Sequence, residues 1–148
     1  MISQRIFEIM AKIDRKHFVP DETAHQAYSD MPRSIGYGTT ISAPHMHAMT
    51  LEKIKNKVVS GGRAVDIGTG SGYIAACLAE MMGKGCQVYM VDHIKEILDF
   101  ATRNIKKGNA YLIKQKRIIP ILKDGRQGLK EHGPYDVIHV GGAVGEVS

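Results

Sequence analysis

Cysteine is scarce in this chain. Cys77 and Cys86 are the only two in 148 residues, and their spacing fits no zinc or redox motif. That excludes a cysteine-built metal or redox centre and leaves a reducing compartment, the cytoplasm, as the expected setting. Long apolar runs are also missing. No stretch approaches the roughly 18 apolar residues that span a bilayer, so no membrane partner is expected. The opening residues, MISQRIFEIMAKIDRKHF, carry charges throughout. They lack the uninterrupted apolar region of a secretory signal. Internal repeats and low-complexity segments are absent as well. The formal net charge is +5, which permits anionic partners but is too mild to point to nucleic acid. The length predicts one domain, 1–148, and a monomer is expected.

What is present divides at about residue 60. In the lead-in, 1–60, Ile2, Ile6, Ile9 or Met10, and Ile13 recur at helical spacing and predict an amphipathic helix ending before Pro20. Pro32, Gly36 and Gly38 break the chain, so 21–40 reads as extended or looped. A second helix is predicted from Ser42–Pro44 to about Val58, with Ser42 as N-cap and Pro44 in the first turn. From 61 onward the texture changes. RAVDIGTGSG reads as a buried strand, a glycine turn and a helix over Tyr73–Met82. GCQVYMVD is a second strand closing on Asp92. IKEILDFATRNIKKGN is a helix that Gly108 ends. RIIPIL is a third strand, placed at an edge by Pro120, and YDVIHVG is a fourth. Strands joined by helical crossovers predict a parallel sheet in a Rossmann-like α/β fold. The last strand stands close to Ser148 with nothing in the sequence to cover its outer edge. The expectation is therefore a core, 61–148, that lacks its C-terminal strands.

The turn DIGTGSG places Gly68, Gly70 and Gly72 between a strand and a helix. Glycine lets the backbone turn sharply and a ligand approach closely, and the helix start adds free N–H groups. A dinucleotide fingerprint requires G-x-G-x-x-G. Counting from Gly68, its third glycine position is Tyr73, which disfavours NAD. Asp92 closes the next strand, about 20 residues beyond the turn, where an acid accepts hydrogen bonds from ribose hydroxyls. Asp66 either receives a ligand amino group or orients the loop. Asp124 and Gly125 follow the third strand and can bracket an adenine. A ligand with a ribose, an ammonium and a sulfonium suits such an acidic pocket. S-adenosyl-L-methionine is that ligand, with S-adenosyl-L-homocysteine as product.

With SIGYGTTISAPHMHA, VDIGTGSGYIAA, VDHIKE, KDGRQG and YDVIHVGGA in this order, the chain resembles the protein-L-isoaspartate (D-aspartate) O-methyltransferase family. The Thr-Ile-Ser-Ala-Pro-His-Met segment is the most specific part, because the glycine turn is shared by many methyltransferases. The resemblance implies a class I S-adenosylmethionine-dependent methyltransferase fold. It also implies methyl transfer to the free carboxylate of isoaspartyl and D-aspartyl residues in damaged proteins and peptides. By position, Ser42 matches the active-site serine. Thr39, Thr40, Ile41 and His47 match cofactor-side neighbours; Asp66, Gly68, Gly70 and Gly72 match the first cofactor motif. Asp92 matches the ribose acid, and Asp124 with Gly125 the adenine-side pair; apart from the resemblance, His93 and His139 follow strand residues near the ligand edge, where either can touch the pocket, although a packed strand-end histidine is the commoner case. Thr39 and Lys123 depart from the family's usual residues, and members continue through further strands.

A carboxylate is ionised at neutral pH, so attack on a sulfonium methyl needs positioning more than a base. Ser42 is the candidate for holding that carboxylate. His45 and His47 offer a metal site on paper, but residues two apart on a helix face apart, and no metal is expected. At most one of them, His47, should reach the pocket. Alternatives are a methyltransferase of this fold acting on a small molecule or nucleic acid, or a cofactor-binding unit without catalysis. Met10, Met46, Met49, Met81 and Met82 read as core filler.

Overall fold

The computed structural model describes residues 1–127 and 129–141. Gly128 of the KDGRQG motif, and Gly142 and Ala143 of the YDVIHVGGA motif, lie outside the described residues.

Helix α1 (Gln4–Lys12) buries Ile6, and Ile13 just past its end is also fully buried. Each such side chain stabilises the fold by roughly 1.5–3 kcal/mol relative to exposure. A 3-10 turn, Arg15–Phe18, and a second, Asp21–Gln26, carry the chain onward. The segment expected to be looped contains a short antiparallel hairpin, β1 (Arg33–Gly36) with β2 (Thr39–Ile41), turned at Tyr37 and Gly38, both at positive φ. Its strands of four and three residues are too short for an alternating pattern to register.

Helix α2 runs Pro44–Ile54 and gives way to a 3-10 turn, Lys55–Lys57, before the predicted end at Val58. Its N-cap is Ala43, not Ser42. The proline explains the difference. Pro44 occupies the first turn, and the residue before a proline is driven out of the helical region; Ala43 sits at φ −59°, ψ 152°. Ser42 is one residue too early to cap.

The second half is a four-stranded parallel sheet in the order β5-β4-β3-β6: β3 (Arg63–Ile67), β4 (Gln87–Asp92), β5 (Ile118–Leu122) and β6 (Val137–Val140). Pro120 lies on β5, at the edge, as its missing N–H requires. Helices α3 (Tyr73–Met82) and α4 (Lys95–Asn109) follow β3 and β4, and the short α5 (Tyr111–Lys114) precedes β5. Ala64, Val88 and Met90 join the main core with Ile6, Leu78 and Ile97, while Val65, Tyr89 and Val91 point to a smaller cluster on the opposite face. Helix α3 falls where the spacing predicts it, from about Tyr73 to Met82.

Gly108 does not end α4; it lies inside the helix. A Cβ there would stand 2.6 Å from the His17 ring, so the glycine serves close packing of the lead-in on α4. Two of the methionines expected in the core, Met46 and Met49, are instead exposed on α2, while Met82 is fully buried. Among the described residues, no helix is long and apolar enough to cross a membrane.

Candidate active site

Parallel strands place their C-terminal ends on one edge of the sheet, where open α/β folds bind ligands. The glycine turn leaves β3 at that edge with Gly68, Gly70 and Gly72 all at positive φ. Gly68 and Thr69 donate their N–H groups to the Val91 carbonyl, tying the turn to β4. Gly141 donates to the Ile67 carbonyl at 2.8 Å, tying it to β6.

Two adjoining cavities open here. The smaller, about 200 Å³, is lined by β2 and the start of α2 on one side, through Thr39, Thr40, Ile41, Ser42 and His47. Asp66, Gly68 and Gly70 face them from the sheet. The larger, about 480 Å³, is lined by Asp92, His93, Asp124 and Gly125, with Tyr37 and Gly38 of the hairpin. It lies within the size of small-ligand sites, roughly 300–1,000 Å³. Thr39, Thr40, Gly68, Val140 and Gly141 line both. All the sequence-nominated residues except Gly72 therefore meet at this one edge. Gly72 lines neither cavity: it is the N-cap of α3, and a Cβ on it would stand 3.0 Å from that of Ala101. Its place is in the packing of α3 on α4.

The three acids differ in how their oxygens are used. Asp66 is 1% exposed; Oδ2 accepts from the Thr69 hydroxyl at 2.8 Å, and Oδ1 lies 2.7 Å from His139 Nδ1. The loop-orienting alternative for Asp66 is thus realised in part. Asp92 accepts from the Gly70 N–H at 3.2 Å through Oδ2 and from the Ile94 N–H at 3.1 Å through Oδ1. His93 extends outward, its Nδ1 3.7 Å from Asp92 Oδ1. Asp124 is gripped by Arg126, with Nη2 at 2.8 Å from Oδ2, and the side-chain and backbone hydrogen bonds from Arg126 hold its carboxyl down to about 2. A Cβ on Gly125 would stand 2.1 Å from Ile67 Cγ2, so only glycine lets this loop close over β3.

His45 and His47 point apart. His45 is exposed and pairs with Asp30, Nδ1 to Oδ1 at 2.7 Å. His47 is buried and stacks on Tyr73, ring centroids 4.7 Å apart. Among the described residues, no group of three His, Cys, Asp or Glu side chains is placed to hold a metal.

Arg15 went unnoticed in the sequence, where it reads as one more charge in the lead-in. It is 1% exposed. Its guanidinium donates to the carbonyls of Ala27 and Ser42, each at 2.5 Å, and meets His47 Nδ1 at 3.0 Å. A guanidinium only donates, so Nδ1 of His47 accepts and the ring's proton sits on Nε2. One arginine thus fixes the backbone at Ser42 and the tautomer of His47. Ser42 itself caps nothing, and its hydroxyl is left for the cavity.

Burial, with the charges of Arg15 and His139, pushes His47 down to about 3, from an ordinary 6.5. Between those values the unfolded chain binds the extra proton. Stability from neutral His47 is therefore full above about pH 6.5 and is lost as pH falls toward 3, by at most about 1.4 kcal/mol per pH unit. In urea unfolding at pH 7 and pH 5, the wild type is expected to lose more stability on acidification than His47→Gln. Equal losses would contradict the assignment.

With this geometry in place, the likeness to known proteins is specific. A family model described as protein-L-isoaspartate (D-aspartate) O-methyltransferase matches residues 1–148. The chain belongs to this family. A protein-L-isoaspartate O-methyltransferase of Caenorhabditis elegans is 40% identical over 141 residues, covering 95% of this chain and 61% of that protein. Protein-L-isoaspartate O-methyltransferase 2 of Arabidopsis thaliana is 44% identical over 146 residues, covering 98% and 47%. A Plasmodium falciparum structure described as a protein-L-isoaspartate O-methyltransferase, in complex with S-adenosyl-L-homocysteine, superposes with a TM-score of 0.89 at 33% identity. It covers all of this family member and 70% of that chain. The chain spans about half to three fifths of the length of the two curated relatives.

Proposed function

We propose that this chain carries the cofactor site and the carboxylate-holding serine of a protein-L-isoaspartate O-methyltransferase. Its substrates are damaged proteins and peptides with isoaspartyl or D-aspartyl residues, and its methyl donor is S-adenosyl-L-methionine. The observation that carries this reading is the convergence of Ser42 with the strand-end acids at one pair of adjoining cavities. The donor set fits the cofactor. Asp92 and Asp124 offer acceptors to hydroxyl and amino groups, while Asp66, buried and engaged by Thr69 and His139, holds the turn in place. Bound there, S-adenosyl-L-methionine supplies a sulfonium methyl, whose transfer to a carboxylate neutralises both charges and leaves S-adenosyl-L-homocysteine.

The protein's own part is placement. Asp92 and Asp124 belong to the larger cavity and hold the nucleoside end. Ser42 belongs to the smaller cavity, where its hydroxyl donates to one oxygen of the acceptor carboxylate and leaves the other free to attack. Two buried free cysteines suit a reducing cytoplasm, and a monomer without nucleic-acid or membrane partners is part of the same reading.

The purified chain is expected to transfer labelled methyl to an isoaspartyl peptide and not to its aspartyl twin. Ser42→Ala should lower turnover by about 10- to 100-fold, the range for loss of one charge-assisted hydrogen bond, with cofactor affinity unchanged within about twofold. Equal labelling of the two peptides, or full turnover in Ser42→Ala, would refute the reading.

A further inference from the structure

His139 takes no part in the function described so far. It sits on β6, directly opposite Asp66 on β3 in the parallel register. Its Nδ1 lies 2.7 Å from Asp66 Oδ1, and the residue lines the smaller cavity with a side-chain exposure of 21%. Asp66 is almost wholly buried, and its other oxygen is occupied by the Thr69 hydroxyl. The carboxylate therefore takes its proton donor from Nδ1–H in either charge state of the ring. What protonation changes is Nε2, an acceptor when the ring is neutral and a charged donor when it is not.

We propose that protonated His139 is a carboxylate-recognising residue of the smaller cavity, held in its charged form by Asp66 and presenting Nε2–H to the ligand. This rests on the proposed function and deepens it. The charged and titratable groups facing His139 are Asp66 from β3 and His47 from α2, with Arg15 behind His47. His47 is neutral, so among the described residues the only formal charge directly paired with the ring is that of Asp66. Burial works to lower the His139 pKa, but the hydrogen bond and charge of Asp66 outweigh it and hold it above the ordinary 6.5. Ser42 shares this cavity, so a carboxylate here meets a neutral hydroxyl donor and a cationic one. The carboxylate comes from one of two sources: the isoaspartyl acceptor, or the amino-acid end of the cofactor.

His139→Asn separates recognition from support, because its amide N–H can replace Nδ1–H toward Asp66 while Nε2 is lost. S-adenosyl-L-homocysteine binding is measured by calorimetry from pH 6 to 9 on wild type and variant. Binding of an isoaspartyl peptide to the S-adenosyl-L-homocysteine complex is measured over the same range, with thermal melting as the folding control. The ligand's own amino group titrates in this range, so the quantity read is the difference between the two proteins. At pH 6 the variant is expected to bind roughly tenfold more weakly, as for loss of a charge-assisted hydrogen bond. The gap should close as pH rises and the wild-type ring loses its proton. A gap in S-adenosyl-L-homocysteine affinity assigns the cofactor carboxylate, and a gap in peptide affinity alone assigns the acceptor. Equal affinities in both arms for a folded variant, or a gap independent of pH, would overturn the proposal. A folded wild type that binds no S-adenosyl-L-homocysteine at any pH would instead refute the function on which it rests.

Discussion

Arg15→Ala is expected to lower the free energy of unfolding by about 3–5 kcal/mol, the scale of leaving buried polar groups without partners. The guanidinium serves the Ala27 carbonyl, the Ser42 carbonyl and His47 Nδ1 from a position 1% exposed. Truncation strands all three. It also leaves a void beside Tyr73, over whose ring the guanidinium lies at 6.0 Å. A domain of this size has roughly 5–15 kcal/mol of net stability, so the variant should unfold at far lower urea. Arg15→Lys keeps the charge, but an ammonium cannot reproduce the planar fork, and it should recover only part of the loss. Because Ser42 and His47 both line the smaller cavity, ligand affinity should fall in the variant even under conditions where it remains folded. A loss below about 1 kcal/mol would mean that the arginine does not organise this segment.

Gly68→Ala should cost some stability and much binding. The residue sits at φ +69°, and a Cβ would stand 2.5 Å from the Gly141 carbonyl oxygen. Left-handed strain costs about 1–2 kcal/mol for a residue with a Cβ. The contact is with main chain, so relief requires the ends of β3 and β6 to part. Gly68 and Gly141 are walls of both cavities, and a displacement of about 1 Å in such a site can cost on the order of 100-fold. Loss of S-adenosyl-L-homocysteine affinity by about that factor is expected by calorimetry. Gly70→Ala is the matched comparison: it also has positive φ, but its Cβ would meet only ordinary contacts, 3.7 Å from Ile35 and 4.0 Å from the Thr40 carbonyl. Its effect should be clearly smaller. Equal effects at both glycines would show that backbone conformation alone, and not the β3–β6 junction, governs the site.

The contrast between these residues also shows where sequence reading reaches and where it stops. The strand–turn–helix of Arg63–Met82 was legible because burial on both faces writes a continuous apolar run and glycines punctuate it. The acids of the site are legible because each lies near the C-terminal end of a strand, and parallel strands deliver those ends to one edge. Ser42 enters the site through the resemblance of its segment and not through local geometry, which predicts it as a helix cap although Pro44 moves the cap to Ala43. Gly108 reads as a stop, since nothing local reveals the His17 ring packed against it. Arg15 and the Asp66–His139 pair were invisible for the same cause. Their partners lie up to 73 residues away, and no periodicity within one element encodes contacts between elements. Local pattern predicts which elements form; the polar contacts that set the site's charges come from tertiary packing.

The most direct measurement is methyl transfer by the purified, folded chain from labelled S-adenosyl-L-methionine to an isoaspartyl peptide and its aspartyl twin, run beside calorimetric titration with S-adenosyl-L-homocysteine. One-to-one binding that Gly68→Ala weakens, together with labelling of the isoaspartyl peptide alone, is the predicted result. A folded chain that binds no S-adenosyl-L-homocysteine, or that labels both peptides equally, would contradict it.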